Sequence, residues 1–169
     1  MRIGLLGSDD RAKAIGRLLR DGGHQLTIAD PTANDRAERV AAEIGARSEI
    51  PYKQAMSSEL LVMAVPREAV DDAVKAVGSG AEAVVVDAVG DEHGNGARSG
   101  AEMLAAKLDT HRVVRALINM PQSGANIPIC GDDENAKALV DRALHASGCL
   151  TTDRGPLTHA AELEVPAAA

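Results

Sequence analysis

The sequence has no tryptophan, no phenylalanine and a single tyrosine, Tyr52. Its core must therefore be aliphatic, and a flat cofactor would find few rings to stack on. Cysteine is scarce as well. Cys130 and Cys149 lack the close spacing of a zinc site and are read as reduced thiols of a cytoplasmic protein. Positive charge is in deficit, with 18 Lys and Arg against 25 Asp and Glu for a formal net charge of −7. That balance argues against nucleic acid or an anionic membrane as a partner. Long apolar runs are missing too: the N-terminal stretch from Ile3 to Leu6 is too short for a secretion signal or a membrane span.

What is present is an alternation. Short runs rich in Val, Ile and Leu are separated by longer segments of helical period. Strands are expected at Arg2–Leu6, Gln25–Ala29, Leu60–Val65, Val84–Ala88, Arg112–Leu117, Ile127–Cys130 and Cys149–Thr152. Helices are expected at Ala12–Arg20, Asp35–Ile44, Ala69–Val77, Ala101–Leu108 and Asn135–Ser147, the first closed by Asp21-Gly22-Gly23 and the second stopped by Gly45. Strands without polar alternation are buried on both faces. The fold class is therefore α/β, a doubly wound and mostly parallel sheet with helices on both faces. The 169 residues suit one domain, with residues 165–169 as a frayed tail. In such a sheet, ligands bind beyond the carboxyl ends of the strands. That rule selects the loops after Leu6, Ala29, Val65, Ala88 and Leu117.

The first of these loops reads Gly7-Ser8-Asp9-Asp10-Arg11-Ala12. A dinucleotide fingerprint needs a glycine for the tight turn, a second where backbone approaches the diphosphate, and a small third residue for helix packing. Gly7 and Ala12 fill the outer positions, and Asp9 stands in the middle. Two like charges about 4 Å apart repel by about 4 kcal/mol at an effective dielectric of about 20. Arg11 could offset this by bridging carboxylate and phosphate. Asp9 and Asp10 are equally readable as carboxylates that cap and stabilise the helix start. Asp30 closes the second strand. It is read either as the acid that binds an adenosine ribose, which selects NAD over NADP, or as a surface aspartate opening a turn at Pro31.

Several segments resemble the NADPH-dependent reductases of the deazaflavin coenzyme F420 and the small oxidoreductases that share their N-terminal domain. Met1-Arg2-Ile3-Gly4-Leu5-Leu6-Gly7 is similar to their opening strand and turn, and Gly23-His24 to their Gly-His pair. Leu61-Val62-Met63-Ala64-Val65-Pro66, followed by Ala69-Val70, resembles their fourth strand and its proline-bearing loop. The most specific match is Ile127-Pro128-Ile129-Cys130-Gly131-Asp132-Asp133-Glu134-Asn135-Ala136-Lys137, and Asp153-Arg154-Gly155-Pro156-Leu157 is similar to a late family turn. The likeness implies a Rossmann-like domain that passes hydride between NAD or NADP and coenzyme F420, with homodimers common among relatives. It also implies that the first loop holds the phosphates and that Ala64-Val65-Pro66 lies along the cofactor. The loops after Ala88 and Leu117, the latter bearing Asn119, would face the second ring system.

The chain departs from that pattern at Asp9, in a first loop shorter by one residue. It departs again at Asp30-Pro31, where basic or hydroxyl residues are the rule. Ile118, beside Asn119, stands where relatives carry His or Asn, and the chain ends soon after Glu164. Two functional expectations follow. One is an NAD(P)-dependent oxidoreductase acting on a second cofactor or small substrate. The other is a protein that kept the fold, lost the redox chemistry and serves as a ligand-binding, partner-binding or regulatory domain. Neither needs a dedicated catalytic acid or base. His93, in the loop Asp91-Glu92-His93-Gly94, is read as a loop histidine within reach of acid–base work. The acids at 132–134 are read as a helix start rather than a metal site.

Overall fold

The computed structural model describes residues 1–48, 57–90 and 97–164. Tyr52, the His93 loop and the tail 165–169 lie outside them. The alternation in the sequence folds as β1 (Arg2–Leu6), α1 (Asp10–Asp21), β2 (Gln25–Ala29), α2 (Asn34–Ile44) and β3 (Arg47–Ser48). β4 (Leu60–Met63) is followed by a 3₁₀ turn (Arg67–Ala69), α3 (Val70–Val77), β5 (Val84–Asp87), α4 (Gly100–Leu108) and β6 (Val113–Arg115). The chain continues with β7 (Asn126–Gly131), α5 (Glu134–Ala146), β8 (Leu150–Asp153), a second 3₁₀ turn (Leu157–His159) and α6 (Ala160–Glu164).

The eight strands form one sheet in the order β3-β2-β1-β4-β5-β6-β7-β8. Every neighbouring pair is parallel except β6 and β7, which run antiparallel with Arg115 opposite Cys130. The order turns between β1 and β4, which is where a doubly wound sheet opens its ligand crevice. Strand bounds match the expectation closely at β1 and β2. β4, β5 and β6 stop short of it because Ala64, Ala88 and Ala116 make only one further ladder bond each, to Leu6, Met63 and Asp87. Two elements go beyond the expectation. β3 is only two residues long and exposed, too short to leave a periodic signal, and α6 is a single short helix near the chain end.

Successive strand residues point to opposite faces, which divides the aliphatic core in two. On one side Leu5, Ile28, Val62, Val86 and Val114 pack beneath Ile15 and Leu19 of α1, Val40 of α2, and Val140 and Leu144 of α5. On the other side Leu6, Leu61, Met63, Val85 and Val113 meet Val70 of α3, Leu104 and Leu108 of α4, and Leu163 of α6. Each such buried side chain contributes about 1.5–3 kcal/mol, so a core without aromatics is assembled from many similar increments. Helix starts carry their own caps. Ser99 and Glu102 form a reciprocal capping box at α4, and Asp133 accepts the Ala136 N–H at 2.9 Å at α5. No helix among the described residues is long and apolar enough to cross a membrane.

Candidate functional site

The crevice is floored by backbone. Gly7 leaves β1 with φ +121° and donates its N–H to Ala29 O at 2.9 Å. A Cβ at this position would stand 2.2 Å from Ala64 O, so only glycine lets the first loop pass this close to the end of β4. Ala64, Val65 and Ala88 are buried and border the crevice through their main chain, while Pro66 is half-buried.

Asp9 is the N-cap of α1. Its Oδ1 accepts the Ala12 N–H at 2.8 Å, and its carbonyl accepts the Lys13 N–H at 2.9 Å. Both readings of this residue meet in that geometry. The carboxylate caps the helix, and it does so with a helix-terminal N–H that a phosphate would otherwise use. Asp10, in the first turn, is exposed. Arg11 reaches across the crevice: its Nη2 donates to Val65 O at 3.4 Å, and a Cβ on Gly90 would lie 1.5 Å from Nη1. A guanidinium therefore lies over the carboxyl ends of β4 and β5, and the bare backbone of Gly90 makes room for it.

The loops after β1 and β2 are joined by a buried polar network. Ser8 Oγ donates to Asp30 Oδ2 at 2.5 Å and accepts from Arg36 Nε at 2.8 Å. Asp30 Oδ1 accepts both the Thr32 N–H, at 2.9 Å, and the Thr32 hydroxyl, at 2.8 Å. Arg36 Nη2 stands 3.6 Å from Asp30 Oδ2. Asp30 is 2% exposed, whereas the Arg36 side chain is 47% exposed. The carboxylate thus faces inward with its oxygens engaged, and the group turned to the crevice rim is the guanidinium of Arg36.

Burial works against the Asp30 charge, yet the Ser8 and Thr32 hydrogen bonds and Arg36 hold its pKa below the ordinary value. Its share of stability is therefore full above the unfolded carboxyl pKa of about 4 and fades as pH falls through the lower folded value. We expect the acid limb of the stability curve to flatten below about pH 4 in Asp30→Asn. Urea midpoints measured across pH would show it, and an unchanged slope would contradict the network's role.

Beyond β6, Leu117 adopts φ +60°, a left-handed conformation unfavourable for a branched side chain. The turn directs the chain into a cavity of about 200 Å³ lined by Leu117, Ile118, Asn119, Met120 and Ile127. Asn119 is exposed there, past the carboxyl end of β6 and on that side of the sheet. Just before the turn, Arg115 at the end of β6 forms an ion pair at 3.0 Å with Asp87 of β5, both side chains fully buried.

Sequence reasoning missed Thr32, Arg36, Gly90 and the Asp87–Arg115 pair. Arg36 stands in the first turn of α2, six residues after Asp30, and a basic residue so soon after the second strand could have drawn attention to it. A charged residue inside an otherwise apolar strand, as at Arg115, carries no comparable signal. The acids after β7 are structural: Asp133 caps α5, Asp132 accepts the Leu157 N–H at 2.8 Å, and Glu134 pairs with Lys137 at 2.8 Å. Burial pushes the Cys130 thiol up to about 12, which leaves it unreactive.

Several solved structures similar to this chain are reductases and dehydrogenases. A family model described as NADP oxidoreductase, coenzyme F420-dependent, matches residues 2–90. A hypothetical protein from Sinorhizobium meliloti superposes with a TM-score of 0.82 at 18% identity, over 95% of this chain and 88% of that one. A candidate F420-dependent NADP-reductase from Arthrobacter sp. FB24 superposes with a TM-score of 0.78 at 24% identity, over 96% of this chain and 88% of the other. The Streptomyces aurantiacus imine reductase follows at 0.69 and 22% identity, over 97% of this chain and 59% of its own. At these identities the superpositions carry the fold, a Rossmann-like one.

Proposed function

Because the chain belongs to the coenzyme F420-dependent NADP oxidoreductase family, we propose that it binds NADP in the crevice between β1 and β4 and exchanges hydride with a second cofactor of the deazaflavin class. The observation that carries the nucleotide assignment is the Ser8–Asp30–Arg36 network. Asp30 points inward with its charge compensated, and a half-exposed guanidinium stands at the rim where an adenosine ribose is recognised. Arg36 would take a 2′-phosphate, with Thr32 shaping the turn beside it. The first loop fits a diphosphate on one condition: the Ala12 N–H must pass from Asp9 to the ligand. Arg11, already laid over the ends of β4 and β5, supplies the cation that compensates the displaced carboxylate.

Bound in this way, the nicotinamide would supply a two-electron hydride carrier. The protein's own work is to hold and orient. Gly7 and Gly90 keep backbone low enough for a ligand to lie against it, and Val65-Pro66 borders the crevice floor. The loop at Leu117–Asn119 forms an apolar wall on the β6 side for the second ring system. Holding two rings face to face is the main requirement when both partners are cofactors, and no protein acid or base need take part.

Titration calorimetry with NADP and NAD tests this reading. We expect NADP to bind more tightly than NAD, and Arg36→Gln to weaken NADP about tenfold or more while changing NAD little. Asp9→Gly should raise NADP affinity by about tenfold, because it removes a like charge and frees a helix-terminal donor. The lost cap costs only a few tenths of a kcal/mol with glycine in its place. A second reading, a Rossmann-like protein without redox chemistry, is favoured by the helix terminus already capped by Asp9. Absence of binding at millimolar NADP in both the native chain and Asp9→Gly would select it.

A further inference from the structure

A second cavity lies at the opposite end of the sheet, at the amino ends of β1, β2 and β3. It measures about 310 Å³, and its wall includes Arg2, Arg20, Gln25, Thr27 and Arg47. The parallel register explains why these side chains converge. Arg2 pairs with Gln25 and Arg47 pairs with Thr27, so β2 carries its two neutral polar groups on one face between two flanking arginines. With strands about 4.8 Å apart and a two-residue offset of about 6.6 Å along the sheet, the flanking Cα atoms stand about 12 Å from one another, within reach of two long side chains leaning inward. Arg20 joins them from the last turn of α1.

Among the described residues, no ion pair engages Arg2, Arg20 or Arg47. The one acid beside Arg2, Glu59, accepts its backbone N–H at 2.8 Å. Arg20 donates Nη1 to His24 O at 3.3 Å, its Nη2 lies against Gly45, and its Nε is buried without a hydrogen-bond partner. The chain carries a net charge of −7 and pairs several other cations with carboxylates, as in Lys13–Glu43, Lys107–Asp71 and Lys137–Asp153. Three guanidiniums around one cavity repel each other, and a buried donor without a partner has lost its water for nothing in return. A bound anion relieves both.

We propose that this cavity is a binding site for a phosphate group, independent of the crevice. A tetrahedral dianion offers enough acceptor oxygens for three guanidiniums together with the Thr27 hydroxyl and the Gln25 amide, whereas a single carboxylate is satisfied by one guanidinium fork. The volume suits inorganic phosphate or a small phosphate ester. β1 spans about 13 Å between this site and the first loop, so the two anion sites are separable by experiment.

The test is a titration of the ¹⁵N-labelled full chain with inorganic phosphate at constant ionic strength, followed by amide chemical shifts. Saturable shifts centred on Gln25, Thr27 and Arg47 are expected. Arg20→Gln and Arg47→Gln should each weaken binding about tenfold or more. Arg36→Gln, in the crevice, should leave it unchanged. Arg47 is exposed at a two-residue edge strand, so its variant keeps the test intact if Arg20→Gln disturbs α1. Glycerol phosphate titrated in the same way separates the sources: tighter binding at the same residues assigns the site to an ester, and weaker binding to free phosphate. Shifts confined to residues 8–12 and Arg36, a response linear in added salt, or unaltered affinity in both arginine variants would overturn the proposal.

Discussion

Gly7→Ala is expected to destabilise the protein by about 3 kcal/mol or more, read as a fall in the urea midpoint at unchanged slope. Two costs combine at this position. The backbone sits at φ +121°, and the added methyl would stand 2.2 Å from Ala64 O and 2.7 Å from its carbonyl carbon. Neither atom belongs to a flexible side chain, so relief requires β1 and β4 to part. Gly23→Ala separates the two contributions. Gly23 has φ +78° with nothing within 4 Å of the place a methyl would take, so its variant should lose only about 1 kcal/mol. Equal losses in the two variants would mean that the close approach of β1 to β4 is not what demands glycine. Whatever the crevice binds, the same close approach sets the depth of its floor.

Arg115→Leu should be comparably severe, about 3–5 kcal/mol, because it removes the cation 3.0 Å from a carboxylate buried inside the sheet. Both partners are 0% exposed, and Asp87 Oδ1 also accepts the Val89 N–H at 3.2 Å, which aims the carboxylate at the end of β5. The double variant Asp87→Leu with Arg115→Leu distinguishes a stabilising pair from a mutually dependent one. If the pair's worth lies mainly in each ion compensating the other, removing both should recover most of the loss. A double variant as unstable as Arg115→Leu alone would show instead that the local arrangement needs the ions themselves.

The architecture was largely legible because its signals are local and repeated. Unbroken Val, Leu and Ile runs such as Leu60–Val65 and Val84–Ala88 cannot be half-exposed strands, and helices between them announce their ends through Gly22, Gly45 and Asp133. The pairing of β6 with β7 was less accessible, since strand direction depends on how the loop at 118–125 turns back and not on the composition of either strand. The site was readable as a set of loops but not as a set of contacts. Asp9 could be placed at a helix start, yet the bond from Ala12 that ties up its carboxylate is a matter of rotamer. Asp30 could be placed after β2, whereas its inward turn depends on Thr32 and Arg36 nearby and on Ser8 from the loop after β1, a distant stretch of the chain. Buried polar networks of this kind are settled by tertiary geometry, and their members look like ordinary surface residues until they are brought together.

The reversal between β6 and β7 separates what is fixed in this chain from what can change. Since β7 and β8 run against the other strands, the turns that follow them, at Asp132-Asp133 and Arg154-Gly155, emerge on the side of the sheet remote from the crevice between β1 and β4. The segment Ile127–Lys137, whose wording is the least generic in the whole sequence, is thus occupied with joining a strand to its helix.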